Sequence, residues 1–341
     1  MKLNHRRVFV SLSCFVFISA CTDDASTEDS SNIDRACMES CLAKGGANDV
    51  CSSYCAQSSG KGEGGKDENG EYDVLRSRLP TETLDVSGEQ REYRIFVPDP
   101  LPEGPLSVLV AIHGGGGAEV AFPQEEEFVR IAQEQGVIVV FPLGALLPED
   151  EGEWQLNTTV DNPRDIQFMS ALLDRLAARY RVDAARVYGT GYSLGSMFTY
   201  ELMCQLSDRF AAVASFAGTM PVAPANCSTS HPVAVMHIHG TADSTIPYRD
   251  RWDWKRWDEV GTMWDIPGLM TALSERFSCE DTSETAWGND GSMRVVYSAC
   301  EGDVRIEHIR LNEQDHEWPS RTNEQSTADV IWSFVSEFRR D

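Results

Sequence analysis

Ser193 stands at the centre of Gly191-Tyr192-Ser193-Leu194-Gly195. Glycines two positions before and two after a serine suit a tight strand-to-helix turn, where two backbones approach and leave no room for side chains. Such a turn holds the hydroxyl out as a nucleophile. The flanking pattern agrees, with an apolar strand expected at 186–190 and a helix at 194–206. A serine hydroxyl needs a base to take its proton and an acid to orient that base. After a turn of this kind the partners follow in the order serine, acid, histidine, each behind a later strand. Gly240-Thr241-Ala242-Asp243 follows an expected strand at 233–239, which makes Asp243 the acid candidate rather than a mere turn cap. Asp250, Asp253 and Asp265 lie further from the strand end and are weaker candidates.

Seven histidines compete for the base. His5 lies in a leader segment, and His113 precedes a glycine run. His231, His237 and His239 come before Asp243, against the expected order; His237 and His239 share a strand face but have no evident third metal ligand. His308 falls inside a strand pattern and reads as structural. His316, in the loop after the last strand, is where the base should be. The run His113-Gly114-Gly115-Gly116-Gly117 directly follows the strand pattern 107–112. Its bare backbone could aim N–H groups at a developing oxyanion, with Gly115, or a neighbouring glycine, and the N–H of Leu194 as the expected donors. No Gly-Lys-Ser/Thr follows it, so a nucleotide phosphate loop does not fit. The chemistry implied is acyl transfer through a serine.

Those residues need a scaffold. Strand patterns at 91–97, 107–112, 137–141, 186–190, 211–216, 233–239 and 304–311 alternate with helical spacings at 128–135, 165–180, 194–206 and 328–338. Alternation of this kind predicts an α/β domain over 73–341, a mostly parallel central sheet with helices on both faces. The chain has 341 residues, 41% of them hydrophobic, which is enough for one large core. Its net charge of -25 disfavours nucleic acid as a partner.

The first 72 residues read differently. Lys2, Arg6 and Arg7 precede a short apolar run at 8–20, below the ~20 residues of a spanning helix. It ends Ile18-Ser19-Ala20-Cys21, which resembles a bacterial lipobox. The resemblance implies a signal peptide at 1–20 and lipidation of Cys21. The chain would then be an exported lipoprotein held in the cell envelope or at the cell surface, in the outer membrane of a Gram-negative host. Residues 21–36 read as a flexible tether and 56–72 as a linker. Between them, 37–55 carries Cys37, Cys41, Cys51 and Cys55, spaced to put each pair of sulfurs on one helix face. By analogy with twin Cys-x3-Cys hairpins, Cys37 pairs with Cys55 and Cys41 with Cys51. The tighter Cys-x2-Cys spacing usual for zinc is absent.

The segment 85–338 resembles the polyhydroxybutyrate depolymerase and feruloyl esterase families, including carbohydrate esterase family 1. The resemblance rests on His113-Gly114-Gly115, the elbow, Phe210-Ala211-Ala212-Val213-Ala214, Gly240-Thr241-Ala242-Asp243 and His316-Glu317-Trp318-Pro319. It implies the α/β-hydrolase fold, Ser193, Asp243 and His316 as nucleophile, acid and base, an ester substrate, possibly polymeric, and no metal or organic cofactor. It also implies a Cys279–Cys300 bridge, with Cys204 and Cys227 as a further pair. Trp252, Trp254, Trp257 and Trp264 depart from the family pattern. They could form an aromatic platform, so Trp254 and Trp257, with Trp318, are the substrate-binding candidates. Two rival readings are a non-catalytic surface-displayed binding protein on a hydrolase scaffold and a serine peptidase of the same fold.

Overall fold

The computed structural model describes residues 77–115, 121–145, 154–159, 163–254 and 260–340. The leader, Cys21, the cysteine hairpin at 37–55, the linker at 56–72, Gly116, Gly117 and Trp257 lie outside the described residues.

Ten strands form one sheet. In chain order they are β1 Thr81–Val86, β2 Glu89–Phe96, β3 Leu106–Ile112, β4 Val137–Pro142, β5 Val182–Tyr192, β6 Ala212–Phe216, β7 Ala234–Gly240, β8 Asp281–Ala286, β9 Met293–Ser298 and β10 Ile306–Leu311. Across the sheet the order is β1-β2-β4-β3-β5-β6-β7-β10-β9-β8. The run from β4 to β10 is parallel, and both edges are antiparallel. Every residue of β3, β4, β6 and β7 is buried, which explains why their sequences are near-continuous apolar runs rather than alternating ones.

The α-helices among the described residues are α1 Glu125–Gln135, α2 Arg164–Arg179, α3 Leu194–Gln205, α4 Ile266–Arg276 and α5 Thr327–Val335. Helix α1 packs on α5, and α2 on α3, so two helix groups cover the sheet. Local signals set the ends. Three glutamates open α1 next to its positive N-terminal end, and Gly136 closes it at φ 69° with its N–H on the Ala132 carbonyl. The Asp265 side chain accepts from Gly268 N–H and Pro267 lies in the first turn, so this aspartate is the cap of α4.

The architecture is the α/β-hydrolase fold. Its central strands and the helices at α1, α2, α3 and α5 fall where the sequence pattern puts them. Strands β1, β8 and β9 and helix α4 do not appear in that pattern. Strand β1 is a half-exposed edge with few apolar residues, and α4 hides in the tryptophan-rich stretch. Two disulfides are present among the described residues. Cys279–Cys300 closes the base of the β8–β9 hairpin, and Cys204–Cys227 ties the end of α3 to the loop before β7.

Candidate active site

The strand β5 delivers Ser193 and α3 begins directly behind it. Ser193 sits at φ 54°, ψ -120°, a left-handed conformation that costs on the order of 1–3 kcal/mol and survives only where the surroundings impose it. They do so tightly: a side chain at Gly191 would collide with the Gly195 backbone, and one at Gly195 with the carbonyls of Ile112 and His113. Ser193 N–H donates to the Phe216 carbonyl at 2.9 Å, fixing the turn to β6.

Three chain segments converge on this turn. His316 Nε2 lies 2.9 Å from Ser193 Oγ, and His316 Nδ1 lies 2.8 Å from Asp243 Oδ2. The carboxylate takes two more donors on its other oxygen, the N–H groups of Thr245 at 2.9 Å and Ile246 at 2.7 Å. Burial opposes ionisation of Asp243, but donation from His239, His316 and Ile246 overcomes it and holds the carboxyl well below the usual carboxylate range. The loops carrying Asp243 and His316 are laced together. Ala242 N–H donates to the Gln314 carbonyl, and the Asp315 carboxylate accepts from Ser244 N–H at 2.7 Å and His316 N–H at 2.8 Å. Tyr192, inside the elbow, stacks on the His316 ring at 5.4 Å and donates its hydroxyl to the His316 carbonyl at 2.8 Å.

His113 has a supporting position. Its Nε2 accepts from Gly144 N–H at 2.9 Å, so Nδ1 carries the proton and donates to the Gly114 carbonyl at 2.7 Å. Burial pushes this histidine down to about 4, so it stays neutral. Pinning the Gly114 oxygen leaves the Gly115 N–H on the opposite side of the planar trans peptide. Leu194 is the first residue of α3, so its N–H belongs to the helix end that lacks intrahelical partners and carries positive character.

A cavity of about 720 Å³ opens on Ser193, walled by Leu194, Met197, Thr245, Ile246, Trp252 and Trp254. Trp252 and Trp254 lie 5.3 Å apart on a short strand pair, Trp252–Asp253 with Thr262–Met263. Trp264 and Trp318 lie elsewhere. Trp264 lies under the Arg251 guanidinium at 4.0 Å. Trp318 packs against Phe216 at 4.6 Å and Phe122 at 5.5 Å and donates Nε1 to Gln124, so it belongs to the packing behind the His316 loop. Asp253 bonds Thr262, and His308 is enclosed in β10 with both ring nitrogens engaged. Among the described residues no group of three or more His, Cys, Asp or Glu side chains is arranged to hold a metal.

Sequence reasoning passed over Tyr192, Thr245, Ile246 and Met197. Tyr192 and Ile246 were visible only as neighbours of the two motifs; Met197, one turn into α3, carried a weak helical signal.

The sequence model of the phospholipase/carboxylesterase family matches residues 155–256. A bifunctional acetylxylan esterase/xylanase of Neocallimastix patriciarum is 26% identical over 262 residues, covering 74% of this chain and 34% of that protein. Feruloyl esterase B of Piromyces equi is 22% identical over 234 residues, covering 68% of this chain and 42% of that one. The chain thus spans between a third and a half of the length of these relatives. In structure it resembles the acetyl xylan esterase from Aspergillus awamori, with a TM-score of 0.54 over 75% of this chain and 99% of that one at 14% identity, a likeness of fold.

Proposed function

We propose that this chain is a serine carboxylic-ester hydrolase that works through an acyl-enzyme. The observation that carries the reading is the unbroken line from Ser193 Oγ through His316 to Asp243, 2.9 Å and 2.8 Å long, on a strained elbow beside an open cavity. His316 takes the Ser193 proton as Oγ attacks the ester carbonyl, while Asp243 holds the imidazole in the Nδ1–H tautomer and stabilises the imidazolium. The oxyanion rests on the Gly115 and Leu194 amides, which the His113 clamp and the start of α3 orient. His316 then protonates the departing alcohol, and water reverses the sequence to free the acid.

The substrate we favour is an acetyl or feruloyl ester on a polysaccharide, in keeping with the named activities of the relatives and with two indoles on the cavity wall. A polyhydroxybutyrate-type polyester is the second substrate class. The signal and lipobox pattern at 1–21 supports an exported enzyme tethered through Cys21. Ser193→Ala is expected to abolish hydrolysis of p-nitrophenyl acetate and labelling by a fluorophosphonate while leaving the circular dichroism unchanged. Activity retained in a clean preparation sinks the reading. A panel of acetylated xylan, methyl ferulate and hydroxybutyrate oligomers separates the substrate classes.

A further inference from the structure

Asp243 has a second histidine partner that the acyl-transfer steps do not use. His239 Nε2 lies 3.2 Å from Asp243 Oδ2 and 2.9 Å from the Ile246 carbonyl. Both neighbours are acceptors, so Nε2 carries the proton and, in the neutral imidazole, Nδ1 of His239 accepts. The atom facing that Nδ1 is His237 Nε2 at 3.1 Å, which therefore donates. His237 Nδ1 in turn accepts, and the Tyr200 hydroxyl at 2.7 Å donates to it. Ser215 interacts with the Tyr200 hydroxyl, and its own hydroxyl meets that of Ser196. All five side chains are buried, at 1% exposure or less. With both imidazoles neutral, one direction of donation satisfies the links from Tyr200 onward, and it runs from Tyr200 toward Asp243.

The file does not close on itself, as a network that only satisfied core polar groups could. It ends on Oδ2, the same oxygen that faces His316, while Oδ1 is occupied by two backbone N–H groups. Four donors thus saturate the carboxylate and leave it one orientation. We infer that His239, His237 and Tyr200 are positioning residues that lock the Asp243 carboxylate from behind, so that one oxygen stays on His316 throughout the reaction; this rests on the hydrolase reading above.

Other titratable groups pack around the file. His308 on β10 donates Nδ1 to the His237 carbonyl and accepts from the Tyr248 hydroxyl, and the Tyr248 ring lies 5.9 Å from His239. Tyr192 and Asp315 flank Asp243 from the His316 side. Burial drives His237, within the file, well below its ordinary value and His308, beside it, down to about 4, so both imidazoles stay neutral.

The test uses the full chain and p-nitrophenyl acetate. His239→Leu removes the donor, whereas His239→Gln keeps an amide near the Nε2 position. His239→Leu is expected to lower kcat about 10-fold with KM within ~2-fold, the loss of one hydrogen bond to a charged group. Its acid limb of kcat/KM moves to higher pH, because a carboxylate with one donor fewer favours the His316 imidazolium. His239→Gln recovers most of both effects. Tyr200→Phe, which touches neither Asp243 nor His316, shifts both in the same direction by less, and it also serves if His239→Leu fails to fold. Nitrogen NMR of the wild-type enzyme is expected to show His237 and His239 as neutral Nε2–H tautomers. An Nδ1–H tautomer at either residue, or folded His239→Leu and Tyr200→Phe variants with wild-type kcat and acid limb, overturns the inference. A wild-type chain that no fluorophosphonate labels overturns the hydrolase reading and this inference with it; a labelled chain with the wrong tautomers overturns the inference alone.

Discussion

Gly240 ends β7, three residues before Asp243, and the loop carrying His316 crosses directly over it. A Cβ built there would stand against the Gln314 carbonyl oxygen, with the Asp315 carbonyl 3.0 Å away. Neither atom is the end of a flexible side chain, so the backbone itself must yield. The neighbouring bonds, Ala242 N–H to Gln314 O at 3.0 Å and Glu313 N–H to Thr241 Oγ1 at 2.9 Å, resist that movement. Gly240→Ala therefore forces the Asp243 and His316 loops apart by on the order of 1 Å, enough to break the two hydrogen bonds of 2.8–2.9 Å that join Ser193, His316 and Asp243 and, on the proposed hydrolase reading, to cost kcat about 10²-fold. Stability falls by roughly 1–3 kcal/mol, the usual cost of overpacking. The assay is steady-state hydrolysis of p-nitrophenyl acetate beside a urea melt. Gly104→Ala, where an added Cβ meets nothing within 4 Å, serves as the control and stays near wild type. A folded Gly240→Ala enzyme with wild-type kcat would refute the argument that this crossing sets the Asp243–His316 distance.

Acid should destabilise the fold before the carboxylates titrate. Burial pushes His113 and His308 down to about 4 and His237 well below its ordinary value, while the unfolded chain protonates them near 6.5. In that window the unfolded state binds more protons, so stability is full above about pH 6.5 and falls toward pH 4 by roughly 1.4 kcal/mol per unit for each histidine. Equal urea midpoints at about pH 7.5 and about pH 5 contradict this. On the cavity wall, Trp252→Ala and Trp254→Ala should each raise KM for methyl ferulate about 3–10-fold, as loss of an aromatic contact does, with kcat changed less. Unchanged KM in both variants removes the indoles from substrate binding.

The candidate chemistry was legible in the sequence because it is written in short, sterically demanding motifs. Gly191 and Gly195 are glycines because backbone lies where their side chains would go, and that constraint marks Ser193 from five residues. Chain order then singled out Asp243 and His316, since each lies just past the end of a parallel strand, and continuous apolar runs are what a sheet buried on both faces requires. The Cys279–Cys300 pairing was not deducible from spacing; it needed the family likeness and then the β8–β9 hairpin.

What tertiary structure decided is everything that depends on residues distant in sequence meeting in space. Trp318 and Trp254 are both tryptophans near a motif, yet one packs behind the His316 loop and the other faces the cavity. His237 and His239 show a period-two pattern that fits a strand and says nothing of partners. Only the alignment of β6, β7 and α3 sets Ser215, Tyr200 and these two imidazoles in a file aimed at Asp243. Sequence alone determined which side chains could carry out acyl transfer. The fold determined their distances, their tautomers and which of their neighbours hold them, because hydrogen-bond direction is a property of three-dimensional neighbours rather than of spacing along a chain.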